Sequence, residues 1–301
     1  MRMPSHTASR CFSSPGSRFR QALDEEQPLQ IVGAINPLCA LLAEQAGFRA
    51  IYLSGAGVAN ASHALPDLGI THLDDVVEDA RRITAACELP LLVDIDTGWG
   101  TSESIKRTIF ELERIGVAAV HMEDQVSAKR CGHRPGKELV DRQEMCARIH
   151  AAVGARRDAM TVIMARTDAA AVEGLQAAIE RSQEYIEAGA DMIFAEALTS
   201  LDDYREFTSA IPVPVLANLT EFGKTPTLAL KDLKQAGVRM ALYPLTAFRA
   251  MNRAASRTYQ AIRRDGNQSA ILDELQTREE LYQLLRYYEA ERRIDLEKTG
   301  S

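Results

Sequence analysis

A chain of 301 residues with 46% apolar content has room for one large α/β barrel of about 250 residues with extensions, or for two ordinary domains. Its 35 Lys and Arg against 42 Asp and Glu give a net charge of −7, which argues against general nucleic-acid binding. The five cysteines, at 11, 39, 87, 131 and 146, form no CxxC or metal-finger spacing, and no apolar run approaches the ~20 residues that span a bilayer, so the chain reads as a cytoplasmic protein with reduced thiols.

Met1 to Gly16 is rich in Ser, Arg and Pro and has no apolar segment of the secretory kind; it reads as a flexible N-terminal segment before a single domain over 17–301. From Leu29 onward a short apolar run, a polar or glycine-containing loop and an amphipathic helical stretch recur. The predicted strands are Leu29–Ile35, Ala50–Ser54, Leu91–Asp96, Ala119–Asp124, Thr161–Thr167, Asp191–Glu196, Val213–Leu219 and Met240–Pro244. Such short, largely apolar runs suit strands buried on both faces of a parallel sheet. Helical patterns such as Leu73–Cys87, Ser102–Ile115, Arg142–Val153 and Leu175–Ala188 lie between them. The alternation points to a closed (β/α)8 TIM barrel, with a doubly wound open sheet as the alternative. Gly47, Gly116, Gly189 and Gly237 each follow a helical pattern and precede an apolar run, where a left-handed glycine ends the helix.

After the last strand, Ala247–Arg264, Ala270–Leu275 and Arg278–Leu296 read as helices, with Leu281, Leu284, Leu285 and Tyr288 at helical spacing. That is more helix than a barrel needs, so the additional C-terminal helices are expected to pack on another subunit in a homo-oligomer.

In a barrel, chemistry belongs at the C-terminal ends of the strands and in the loops after them. The second strand ends in Ser54-Gly55-Ala56-Gly57, a turn whose backbone N–H groups suit a carboxylate. On the third, Asp94 and Asp96 stand two apart, on one strand face with Cα atoms about 6.6 Å apart. That pair suits Mg²⁺, which keeps several waters; a salt bridge to an arginine is the plainer reading. The fourth strand adds Glu123, placed to hold a metal-bound water, and Asp124, which would equally cap the next segment. The fifth offers Arg166 as a fork for a carboxylate, the sixth Glu196, the seventh Asn218 and Thr220. Arg249 and Arg278 lie in the C-terminal helices, where surface salt bridges are common. The loop after the fourth strand carries Lys129-Arg130-Cys131-Gly132-His133-Arg134-Pro135, in which cationic neighbours favour ionisation of the thiol. A divalent metal, carboxylate holders and an activated cysteine together fit a hydroxy or keto acid bearing further carboxylates. No phosphate loop or dinucleotide fingerprint accompanies them.

The Lys129-Arg130-Cys131-Gly132-His133 run resembles the signature of the isocitrate lyase and phosphoenolpyruvate mutase superfamily, in its lyase branch. Tyr52-Leu53-Ser54-Gly55, Leu65-Pro66-Asp67-Leu68-Gly69, Glu123-Asp124-Gln125, Ile163–Asp168 and Ala241-Leu242-Tyr243-Pro244 extend the likeness, within that branch, toward the methylisocitrate lyase family. The resemblance implies a (β/α)8 barrel, a homotetramer with helix exchange, and Mg²⁺, with Mn²⁺ as a substitute, on Asp94 and Asp96. It implies Mg²⁺-dependent, reversible cleavage of 2-methylisocitrate to pyruvate and succinate in propionate catabolism. Cys131 would act as proton donor to the succinate carbanion, Glu196 as a holder of its charge, and Tyr52 or a metal-bound water as base for the hydroxyl. Substrate contacts would come from Ser54, Gly55, Ala56, Asp67, Gly132, His133, Arg166, Asn218, Thr220, Arg249 and Arg278. Phe194 and Leu242 match the methyl-accepting pocket. Ala195, Ala56 and Trp99 depart from the residues usual in the family without removing a chemical group. Isocitrate lyase, releasing glyoxylate, is the alternative enzyme, and a non-catalytic barrel sensing tricarboxylates is the alternative outside enzymes.

Overall fold

The computed structural model describes residues 13–127, 129, 130, 132 and 136–298. Eight parallel strands close into a barrel in chain order: β1 Leu29–Gly33, β2 Ala50–Leu53, β3 Leu91–Asp94, β4 Ala119–Glu123, β5 Val162–Thr167, β6 Met192–Ala195, β7 Val215–Asn218 and β8 Met240–Tyr243. β8 pairs back on β1, with Leu242 beside Ile31, so the open-sheet alternative falls. The helices are α1 Pro15–Glu25, α2 Pro37–Gln45, the single turn α3 Gly55–Gly57, α4 Leu73–Ala86, α5 Ser102–Arg114, α6 Arg142–Ala155, α7 Leu175–Glu187, α8 Leu201–Ala210, α9 Leu230–Gln235, α10 Thr246–Asp265, α11 Arg278–Leu284 and α12 Tyr287–Lys298. The four junction glycines have φ of +89°, +86°, +105° and +80°, the left-handed stop expected of them.

Strand alternation divides the core into two layers. One residue parity, with Leu53, Val93, Val120, Ile163 and Ile193, faces outward and packs under the helices. The other, with Ile31, Ala50, Leu92, Ala119, Met164, Met192, Leu216 and Met240, fills the barrel interior. Phe19, Ala22 and Leu23 of α1 join that inner layer. Arg20 anchors α1 to the Met160 carbonyl and to Asp191 just before β5 and β6, so α1 plugs the N-terminal end of the barrel and leaves the other end for chemistry.

Three sequence expectations change. Of the segment 1–16, residues 1–12 lie outside the described residues, and Ser14 to Gly16 form the cap and first turn of α1, with Ser14 Oγ accepting from Ser17 N–H. The helix expected over Arg278–Leu296 is two helices, because Arg286 takes a left-handed φ of +51° between them. Ala270–Leu275 is a 3₁₀ turn over Ser269–Glu274 rather than an α-helix. The short helix α8 was not anticipated, and α2 and α9 were anticipated only at their ends, by Gly47 and Gly237. For α2 the missed signal is the Asn36-Pro37 pair, whose amide caps Cys39 N–H while proline fixes the first turn.

Candidate active site

The inner parity that fills the barrel also selects what stands at its C-terminal mouth. Continuing each inward series places Tyr52, Asp94, His121, Glu123, Arg166, Phe194, Glu196 and Asn218 in one buried polar layer. A cavity of about 70 Å³ is lined by Tyr52, Ser54, Ala56, Asp67, Asp94, Lys129, Arg130, Gly132, Arg166, Phe194, Glu196, Asn218, Thr220, Pro244 and Leu245.

On one wall, Asp94 Oδ2 accepts from Gly55 N–H at 3.1 Å and Oδ1 from Asp96 N–H at 3.1 Å. The two acids do not share an extended strand. β3 ends at Asp94, and Asp96 has a left-handed φ of +47°, a conformation that costs a non-glycine residue about 1–2 kcal/mol. The turn nonetheless brings both carboxylates to Gly55: a Cβ there would lie 3.1 Å from Asp94 Oδ2 and 3.1 Å from Asp96 Oδ1. Burial, with the repulsion of Asp94, pushes Asp96 up to about 6. For Asp94 burial is outweighed by His121, Lys129 and Arg166, which hold it below the ordinary carboxylate range. Among the described residues no three acidic, imidazole or thiol groups stand close enough to complete a ligand shell. Two carboxylates brought together at Gly55 are hard oxygen donors of the kind Mg²⁺ takes, its remaining positions filled by water, although Asp96 here also meets Lys129.

Opposite them, Arg166 is held by three carboxylates: Glu123 at 2.9 Å, Asp168 through Nε at 2.9 Å and Nη2 at 3.2 Å, and Glu196 at 3.4 Å. Asn218 donates to both Glu196 oxygens at 3.3 and 3.4 Å. Gln125 donates to Glu123 at 3.0 Å and clamps the Arg130 backbone, accepting its N–H at 3.0 Å and donating to its carbonyl at 2.8 Å. Lys129 enters from the same loop, paired with Asp67 and, at 3.0 Å, with Asp96. Gly132 leaves no room for a side chain, since a Cβ would stand 2.4 Å from Arg166 Nη2 and 2.6 Å from Glu196 Cδ. Cys131 and His133 lie outside the described residues.

His121 is a site residue that the strand-end reading passes over. Its ring is fully buried, shares a 3.0 Å hydrogen bond with Tyr52 Oη, lies 3.6 Å from Asp94, and meets Phe194 edge-on at 5.0 Å. Inward parity on β4 was the signal that would have found it. Burial pushes His121 down to about 4, so the imidazole is neutral near pH 7. Burial and the charge of Asp94 push Tyr52 well above its usual range, which favours the neutral phenol over an anionic base. Asp124 is not a cap: it is buried and accepts from Thr167 Oγ1 at 2.8 Å, Asp168 N–H at 2.9 Å and Tyr185 Oη at 2.9 Å.

Phe194 lies 5.3 Å from the Arg166 guanidinium and lines the cavity, whereas Leu242 belongs to the same inner core but is not in that lining. Arg249 and Arg278 stand outside this lining in one chain. Arg249 opens α10 on the surface, pairs with Glu221 at 3.2 Å and lies over Phe222 at 5.7 Å. Arg278 begins α11, beyond the exposed α10, and is itself exposed.

Residues 19–263 match the phosphoenolpyruvate phosphomutase family. Over 282 residues the chain is 62% identical to the 2-methylisocitrate lyase of Shewanella oneidensis, covering 94% of this chain and 97% of that one. Among solved structures, 2,3-dimethylmalate lyase superposes with a TM-score of 0.86 at 34% identity, covering 93% of this chain and 94% of that one. Phosphonopyruvate hydrolase in complex with oxalate and Mg²⁺ does so with a TM-score of 0.82 at 32% identity, covering 95% and 98%. The family match over most of the chain and the 62% identity to a 2-methylisocitrate lyase show that the chain belongs to the phosphoenolpyruvate mutase and isocitrate lyase superfamily, in its carbon–carbon lyase branch.

Proposed function

We propose that the chain cleaves 2-methylisocitrate reversibly to pyruvate and succinate. The observation that carries this reading is the convergence of Asp94, Arg166, Glu196 and Asn218 on one cavity with Gly132, while Asp96 meets Asp94 at Gly55. The 62% identity to a 2-methylisocitrate lyase supports it independently.

Asp94 and Asp96 would hold Mg²⁺ or Mn²⁺, with Glu123 reaching it through water. When bound, the ion supplies Lewis-acid polarisation of the substrate's hydroxyl and adjoining carboxylate. Backbone N–H groups at Ser54 to Ala56, with Asp67, His133 and Thr220, would bind and orient the remaining polar groups. Tyr52 would take the hydroxyl proton while its own passes along its 3.0 Å hydrogen bond with His121. As the C–C bond breaks, negative charge grows on the succinate side. Arg166 meets that charge, and Asn218 and Glu196 hold the carboxylate bearing it, in a buried site where such interactions are strong. Cys131 then gives its proton to the carbanion and recovers it in the reverse direction. The methyl group packs against Phe194 and Leu242. Isocitrate differs there by one methyl, worth only ~1–3 kcal/mol, so it is the competing substrate.

The exposed apolar residues of α10 to α12 support a homotetramer with exchanged C-terminal helices, the arrangement that would bring a partner subunit's arginine toward this mouth. No helix of the described residues is long and apolar enough to cross a membrane. A cytoplasmic setting suits free, reduced Cys39, Cys87 and Cys146.

The proton-donor assignment is tested by Cys131→Ser in the Mg²⁺-loaded enzyme. Pyruvate release falls by ~10³-fold with substrate still bound, because a serine hydroxyl is a far weaker acid than a thiol. Wild-type turnover in the variant would remove Cys131 from that role.

A further inference from the structure

Lys137 is a buried cation with no assigned part in the chemistry. Its ammonium donates to the Gly132 carbonyl at 2.7 Å and to Asp168 Oδ1 at 2.6 Å, and its side chain is 2% exposed. A lysine in a loop ordinarily keeps its head group in water, and burying it costs several kcal/mol unless it is paired. Asp168 is also held by Arg166, which contacts both of its oxygens. What Lys137 adds is the bond to a backbone carbonyl, and that carbonyl belongs to the residue packed on the guanidinium of Arg166. One carboxylate therefore holds both the arginine and, through Lys137, the loop backbone above it. Asp168 is itself fixed, because its N–H donates to the buried Asp124, which Thr167 and Tyr185 also hold.

We propose that Lys137 is a positioning residue that, through the shared Asp168, holds the backbone of Gly132, the residue next in sequence to Cys131, against Arg166. This rests on the lyase reading. The expected cost of losing it lies in the chemical step rather than in binding, because Lys137 does not line the cavity. Displacement of a reacting group by about 1 Å is enough for a ~10²-fold loss.

The test measures pyruvate release by full-length, Mg²⁺-supplemented Lys137→Met and Lys137→Arg beside the wild type, with melting curves for each. Expected are a ~100-fold lower kcat in Lys137→Met, KM within ~3-fold of wild type, and recovery of at least ~10-fold of the loss in Lys137→Arg, which keeps a charged donor. Wild-type kcat in a folded Lys137→Met overturns the proposal. So does a kcat loss matched by an equal change in KM, or failure of both variants to fold, since either makes Lys137 a packing residue only. A wild-type enzyme that releases no pyruvate fails the lyase reading first, and is told apart because no variant is needed to see it.

Discussion

Arg166 has more negative neighbours than it can neutralise: Glu123, Asp168 and Glu196 all lie within 3.4 Å. That surplus calls for further positive charge, which Lys137 on Asp168, Lys129 and a divalent ion would provide. A planar fork is required to meet Asp168 on two atoms and a substrate carboxylate besides, so Arg166→Lys should lower kcat/KM by ~10–100-fold, read by initial-rate assay. Asp94→Asn removes one of two hard donors and should weaken Mg²⁺ binding by at least ~10-fold in calorimetric titration. His121 gives a stability signature. Its pKa falls from 6.5 to about 4 on folding, so the unfolded chain takes up a proton that the folded one refuses. Stability is full above pH 6.5 and is lost as pH falls toward 4, by roughly 3 kcal/mol, and His121→Asn should flatten that part of the melting profile. Asp94, Asp96, Arg166, Glu196 and Asn218 were legible in the sequence because each follows an apolar run. His121 was passed over although its inward parity on β4 marks it, and Lys137 was not legible, since its role depends on which partners its side chain meets.

At the scale of elements, alternation made the strands readable and long amphipathic faces made α4, α5 and α7 readable. α1 escaped notice because its apolar face plugs the barrel instead of packing on a neighbouring helix, so no strand–helix repeat announces it. Its anchor is Phe19, fully buried with Leu29 and Ile31 in the inner core. Phe19→Ala should cost about 3–5 kcal/mol in urea unfolding with KM unchanged, since the cavity opens at the end away from the site. Strain is placed at the opposite end. Asp96, Trp99 and Ala197 adopt left-handed φ of +47°, +55° and +60° just after β3 and β6, the turns that aim Asp96 and Glu196 inward.

The whole molecule carries its unfinished surface in the C-terminal third. Along α10 Met251, Tyr259 and Ile262 are exposed, and Leu285, Ile294 and Leu296 continue the apolar surface in and after α11. Apolar surface on this scale marks an interface, and a homotetramer is the expected state in sedimentation equilibrium; a monomer at micromolar concentration would remove helix exchange from the account. Arg278 was read to the substrate from resemblance alone, and only such an assembly would bring it there.

The central claim is the choice of substrate, and the ratio of pyruvate released from 2-methylisocitrate to glyoxylate released from isocitrate, with Mg²⁺ and with EDTA, tests it most directly. Expected is Mg²⁺-dependent pyruvate release that exceeds glyoxylate release by at least ~10-fold in kcat/KM, as one buried methyl allows. Preference for isocitrate would contradict the pocket assigned to Phe194 and Leu242, and neither product from folded, metal-loaded protein would contradict the lyase itself.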